Sequence, residues 1–181
     1  ENIEVISFEP STSNLRILSR NISINNLEKK IKIFQLPLGL NKNQFLEFSE
    51  RKFNEGESHN SLDKNIDFEG KKLDAMNSYQ VLSTNIDQII DDKILDIPNY
   101  IKIDVDGIEH LILKGGIKLL KNTKISEIQI EINENYSEQL NSVMKTMNEC
   151  LFKFKEKKRN DLKEYYLDDK FLKIYNYYFV R

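Results

Sequence analysis

The segment KIDVDGIEHLILKGG, from Lys102 to Gly116, constrains this chain more than any other. Pro98 precedes it, and the centre of NYIKIDV is mostly apolar, as a strand reads when helices cover both faces of its sheet. After Asp106 and Gly107, the apolar residues Ile108, Leu111, Ile112, Ile117, Leu119 and Leu120 recur at helical spacing, with Gly115 and Gly116 placed to break or kink the helix. A second strand, ISEIQIEIN, follows from Ile125 to Asn133. Strand, helix and strand joined by short connections favour a right-handed parallel crossover.

The same theme appears upstream. IEVISF, Ile3 to Phe8, is β-branched and stopped by Glu9 and Pro10, since proline cannot continue a central ladder. Ser11 or Ser13 can cap a helix carrying Leu15, Leu18 and Ile22 on one face, and IKIFQL from Ile31 to Leu36 reads as the next strand, ended by Pro37 and Gly39. From about residue 40 to residue 80 the pattern weakens to a short strand at LEF and a polar stretch through Glu57, His59 and Asp63, read as an irregular insertion that serves as a lid, a binding loop or a plain surface excursion. A strand at Gln80 to Ser83 and a helix around Ile86 to Ile90, capped by Thr84 or Asn85, close this region. Beyond Asn133 come a helix with Leu140, Val143, Met144 and Met147, a strand near Leu151 to Lys155, a charged hairpin-like loop, and a last strand, IYNYYFVR. The expected fold is α/β: a Rossmann-like, doubly wound, mostly parallel sheet with an antiparallel last strand, in a single domain over residues 1–181.

Composition narrows the function class. The 27 basic and 29 acidic side chains nearly cancel to a net charge of -2, so no global positive field points to nucleic acid or to an anionic membrane. Small neutral or mixed-charge ligands fit better. The lone Cys150 excludes an internal disulfide framework and implies a reducing, cytoplasmic setting. There is no apolar run near the roughly 18 residues that cross a bilayer.

In a doubly wound sheet, ligands sit outside the carboxyl ends of the strands. Acidic residues gather there. Glu9 ends the first strand, where a carboxylate can accept hydrogen bonds from both hydroxyls of a ribose; the alternative is a solvated strand-end acid before a turn proline. Asp104 is expected to be partly buried within its strand, either reaching the ligand crevice or simply paired with Lys102 at period two. Asp106 and Glu109 would line the rim. Such a cluster could position an amine, hold a hard divalent cation through oxygen ligands, or act as a base. His110, near a helix start, is a candidate proton acceptor or a solvent-facing side chain, with His59 weaker, and Glu131 and Asn133 face substrate in this topology. Gly115 and Gly116 lie outside any strand-to-helix turn, so they serve close helix packing and not phosphate binding.

These residues together resemble the FkbM-type methyltransferases. That family carries a segment of the form KIDVEG.E..VLKG, which stands here as KIDVDGIEHLILKGG with Asp106 in place of the glutamate. SFEPSTSN, NISINNL, STNIDQII, IQIEIN and NYYFVR resemble further family segments in the same order, so the resemblance spans nearly the whole chain. It implies an S-adenosylmethionine-dependent enzyme that methylates oxygen in a saccharide or small metabolite. By that resemblance Glu9, with Pro10 beside it, would bind the ribose hydroxyls, the segment after Leu36 with Leu38 would approach the adenine, and Asp104 with Asp106 would lie near the methionine end. Asp104, Glu109, His110 and Glu131 are the candidates for the base, with a divalent cation as a further option and no metal ligands assigned. The family's glycine-rich first strand should precede Glu1, so the chain is expected to be N-terminally truncated and to hold the cofactor weakly alone. The competing reading is a non-catalytic Rossmann-like binding or assembly module. A nicotinamide-dependent oxidoreductase would also explain Glu9, but not Lys102 to Gly116.

Overall fold

A computed structural model describes residues 3–52, 55–56, 60–63, 66–159 and 172–181. The chain begins with a β–α–β unit. Strand β1 (Val5–Phe8) runs into helix α1 (Thr12–Ile24), and β2 (Ile31–Phe34) returns parallel to β1 in the register Val5 to Ile31 through Phe8 to Phe34. Ser11 starts α1: its backbone is extended and its hydroxyl accepts from Asn14 N–H at 3.4 Å. Phe8 and Phe34 pack their rings across the pair, with centroids 4.9 Å apart.

The stretch expected to be an irregular insertion, with short strands at LEF and at Gln80 to Ser83, folds into a sheet in which both of those strands take part. Strands β3 (Gln44–Glu50), β4 (Asn60–Leu62) and β5 (Asn77–Ser83) pair antiparallel in the order β4-β3-β5. Leu46 and Phe48 point to the core, while Phe45 and its cross-strand partner Leu82 lie on the solvent face, so alternation is blurred at the apolar level. A three-residue Asn-Ser-Leu strand carries no signal of its own. Glu57 and His59 lie outside the described residues.

Helix α2 (Ile86–Asp91) is capped by Asn85, whose side chain accepts from Gln88 N–H at 2.9 Å. Then comes the unit read from Lys102 to Gly116. Strand β6 is Tyr100–Ile103, α3 is Glu109–Lys114, α4 is Ile117–Leu120, and β7 is Glu127–Asn133, parallel to β6. The two glycines do interrupt the helix, and the reason is packing. A Cβ on Gly115 would stand 2.3 Å from the Gly39 carbonyl oxygen, and one on Gly116 would stand 2.3 Å from Ile86 Cγ2. Helix α5 (Ser137–Glu149), strand β8 (Lys153–Lys158) and strand β9 (Ile174–Val180) complete the order. The charged hairpin-like loop expected between β8 and β9 falls largely on residues 160–171, outside those described.

The expectation of one doubly wound, mostly parallel sheet needs correction. Among the described residues the strands form three sheets: β1-β2, β4-β3-β5 and β6-β7-β9-β8. Only the pairings of β1 with β2 and β6 with β7 are parallel between named strands; β9 runs antiparallel to β7 and β8, as expected for the last strand. The architecture is mixed α/β. Its core centres on β7, where Ile128, Ile130 and Ile132 are fully buried on one face while Gln129, Glu131 and Asn133 occupy the other. Each such isoleucine contributes on the order of 2 kcal/mol through burial. Edge strand β8 reads KFKEKK; its exposed lysines oppose pairing with another chain. No helix among the described residues is long and apolar enough to cross a membrane.

Candidate functional site

The β6-β7 ladder ends at the pair Ile103 and Ile130. The next residue on each strand is a carboxylate, Asp104 and Glu131, so parallel register itself brings the two acids side by side. The strand stops short of Asp104, which is exposed rather than partly buried as expected. Lys102 Nζ lies 2.6 Å from Asp104 Oδ2, so the pairing foreseen at period two forms. Glu131 is half-buried. Its carboxyl is pushed up to about 7, first by loss of water, then by the Asp104 charge and a hydrogen bond to Asp104, then by Asp106; Lys102 pulls the other way. A carboxyl raised toward neutral pH can take a proton from a substrate.

The turn after β6 is locked from several sides. Gly107 has φ +99, and a Cβ there would meet the Asp67 carbonyl oxygen at 2.5 Å, so only glycine passes beneath that loop. Asp106 Oδ2 accepts from Asn60 N–H at 3.1 Å, which ties the turn to β4. Asp106 is therefore half-buried and engaged at the site's edge.

Two candidates stand elsewhere than expected. Glu109 does not line a rim: it is 2% exposed, and its carboxyl accepts from Val105 N–H at 3.2 Å and from the Gln139 amide of α5. Burial pushes its pKa well above the usual carboxylate range, against the pull of backbone donors. His110 faces neither solvent nor an open crevice. It is fully buried, with its ring edge-on to Tyr136 at 5.8 Å between centroids. Both follow from α3 lying flat against α5, which buries positions that face water in an isolated amphipathic helix. A base must reach the proton it takes, and these two are closed off.

The β1 end forms a second acidic pole. Glu9 lies just past the strand, half-buried, and its Oε1 accepts from Ser11 N–H at 2.9 Å. Loss of water raises its pKa, hydrogen bonds from Ser11 and Asn14 lower it, and the nearby Glu50 charge raises it again. Pro10 is half-buried beside it. Leu38 sits on the loop after β2, packed against the core and bridged in parallel to Thr84. Glu50 was missed in the sequence. It is 1% exposed and accepts from Ser11 Oγ at 2.9 Å, and counting by twos from Leu46 and Phe48 would have pointed it inward. Gln139 was missed as well, although it shares the buried face of α5 with Val143 and Thr146. Asn133 does not present itself to a ligand: it is 3% exposed and its amide donates to the Phe68 carbonyl at 3.2 Å. Among the described residues no group of three or more His, Cys, Asp or Glu side chains is arranged to hold a metal ion.

No curated protein matches the chain in sequence. The crystal structure of Methyltransferase FkbM from Methylobacillus flagellatus KT superposes with a TM-score of 0.59 at 17% identity, covering 96% of this chain and 36% of that one. The present chain thus spans about a third of that protein's length, and the likeness concerns the fold. The sequence profile described as Methyltransferase FkbM domain matches residues 2–154, which take in Glu9, the strand ends bearing Asp104 and Glu131, and the whole β3-β4-β5 sheet. With that profile covering most of its length, the chain belongs to the FkbM methyltransferase family.

Proposed function

We propose that this domain transfers a methyl group from S-adenosylmethionine to a hydroxyl of a saccharide or small metabolite, with Glu131 accepting the hydroxyl proton. The observation that carries the reading is the Asp104 and Glu131 pair at adjacent strand ends, with Glu131 raised to about 7. A base tuned to neutral pH is what a weakly acidic alcohol requires. When bound, the cofactor supplies a methyl already activated on a sulfonium.

The residues present fit that group. Glu9 is half-buried and ends β1 with a carboxylate, an acceptor matched to the two donors of a ribose diol. Pro10 stiffens the backbone beside it, and Leu38 offers an apolar wall for the adenine. Asp104, paired with Lys102, takes the position nearest the methionine amine, with Asp106 holding the turn behind it. The proton released by the acceptor then goes to Glu131, whose carboxyl is raised to about 7. A cytoplasmic setting suits Cys150, which is buried and free.

The test joins calorimetric titration with S-adenosylhomocysteine to mass-spectrometric detection of methyl transfer onto free monosaccharides and hydroxylated metabolites. The reading expects binding that Glu9→Gln weakens by about tenfold or more, equivalent to about 1.4 kcal/mol of lost hydrogen bonding. It also expects transfer that Glu131→Gln slows about a hundredfold. Binding without transfer to any hydroxyl would sink the oxygen acceptor, and no binding would favour the assembly module.

A further inference from the structure

Past Ile103 and Ile130 no backbone ladder fixes how far Asp104 stands from Glu131. Buried side chains take over there. Val105 N–H donates to Glu109 Oε1 at 3.2 Å, Gln139 Nε2 donates to Glu109 Oε2, and Asn133 N–H donates to Gln139 Oε1 at 3.1 Å. The backbone one residue beyond Asp104 is thereby connected to the backbone two residues beyond Glu131. The link runs through one side chain of α3 and one of α5, each 2% exposed. Donor direction is set along the whole path. The Gln139 oxygen is taken by Asn133, so its amide nitrogen must face Glu109, and Glu109 receives donors on both oxygens.

We propose that Glu109 and Gln139 form a positioning strut that sets the separation of Asp104 and Glu131. Glu109 is then a positioning residue and not a base, acting through Val105 on a carboxylate it does not touch. The proposal rests on the methyl-transfer reading only in giving that pair a catalytic purpose. The strut itself is open to measurement without turnover.

Exchanging the two residues is the decisive experiment. In Glu109→Gln, two amide nitrogens face each other or Gln139 turns and abandons Asn133; in Gln139→Glu, two carboxyls meet in a dry site. In the double variant E109Q/Q139E every bond can return. Asn133 N–H then donates to one oxygen of the carboxylate now at position 139, and the amide now at position 109 donates to the other. Val105 N–H donates to the oxygen of that same amide. The readout is the titration of the Glu131 side-chain carboxyl followed by carbon NMR, with urea unfolding run in parallel. The charged groups facing Glu131 are Asp104, Asp106 and Lys102, all left intact. In Glu109→Gln the Glu131 midpoint falls from about 7 by about one pH unit as the pair loosens. The double variant returns it to the parent value. A single variant that loses stability while Glu131 titrates unchanged overturns the strut, because burial alone would then explain Glu109. If the single variants do not fold, a folded double variant with the parent midpoint supports the proposal and an unfolded one refutes it. Absence of methyl transfer in the parent would count against the enzyme reading and leave this result intact.

Discussion

Replacing Glu131 by glutamine separates the electrostatic cost of the carboxylate pair from everything else in the fold. Below pH 4.5 the Glu131 carboxyl is protonated in both the folded and the unfolded chain, so it contributes no pH dependence. Between pH 4.5 and about 7 the unfolded chain has released this proton and the folded chain has kept it. Folding therefore takes up a proton, stability falls as pH rises, and the loss is complete above about 7. At about 1.36 kcal/mol per pH unit, the rise from 4.5 to about 7 gives an upper bound of about 3 kcal/mol. Glu131 keeps part of its surface in water, so screening reduces this to roughly 2 kcal/mol. Glutamine keeps the shape and the donor toward Asp104 but does not ionise. Urea unfolding of parent and Glu131→Gln at a series of pH values between roughly 5 and 8.5 should show the variant gaining about 2 kcal/mol on the parent across the series. Other raised acids, such as Glu9 and Glu109, are common to both proteins and cancel. Parallel stability curves with a constant gap would refute the reasoning, since Glu131 would then titrate like an ordinary glutamate.

Three other perturbations test the surroundings of the pair. Lys102→Met removes the cation that lowers the Glu131 pKa, so the Glu131 NMR midpoint should move up, by a few tenths of a pH unit given the exposure of Lys102; a downward move would contradict the geometry. Gly107→Ala forces a side chain into a backbone with φ +99 and against Asp67, and should lower unfolding stability by about 2 kcal/mol or more; an unchanged urea midpoint would show that this turn is not held as described. Asp87→Ala strips the carboxylate that accepts from Lys118 N–H at 2.9 Å and Leu119 N–H at 2.7 Å at the start of α4, and should cost about 1 kcal/mol, seen as earlier thermal unfolding.

What was legible in the sequence follows from how much each element depends on its own residues. The β6, α3 and β7 unit was readable because its strands carry apolar isoleucines at period two and its helix apolar residues at helical spacing, and its two glycines because a Cβ there would stand 2.3 Å from the Gly39 carbonyl oxygen or from Ile86 Cγ2. Lys102 with Asp104 was readable from period two. The β3-β4-β5 sheet was readable only at LEF and at Gln80 to Ser83, because Phe45 and Leu82 place apolar side chains on the solvent face and β4 has too few residues for any pattern. Glu109 shows the deeper limit. An acid in the first turn of a helix ordinarily favours the exposed, positive end of the dipole, so local reasoning sent it outward. Its burial depends on Gln139, thirty positions away, and no local rule encodes that meeting. The pairing of Asp104 with Glu131 needed the register of β6 on β7, which two separate strand predictions do not supply.

The β3-β4-β5 region matters to the site for a reason visible only when its attachments are taken together. At one side Glu50 accepts from Ser11, Gly56 N–H donates to Asn14 at 2.9 Å, and Arg16 pairs with Glu55 at 3.3 Å, all at the start of α1 beside Glu9. At the other side Asn60 donates to Asp106, the Asp67 carbonyl closes over Gly107, Asn133 donates to the Phe68 carbonyl, and Gly70 packs so tightly on Tyr136 that a Cβ there would meet its ring at 2.7 Å. The exposed Arg16 pair adds little by itself, but Glu50 is buried, and losing a buried hydrogen bond such as the one from Ser11 costs about 1–3 kcal/mol. A region attached this way to both acidic poles cannot shift at one without loading the other. Glu50→Gln should therefore disturb more than Glu9: it removes a charge that raises the Glu9 pKa, so the Glu9 midpoint falls. If the attachments act as one body, amide exchange at Asn60 and Gly107 speeds up in the same variant. Faster exchange confined to residues near Ser11, with Asn60 and Gly107 unchanged, would show that the two poles are held independently.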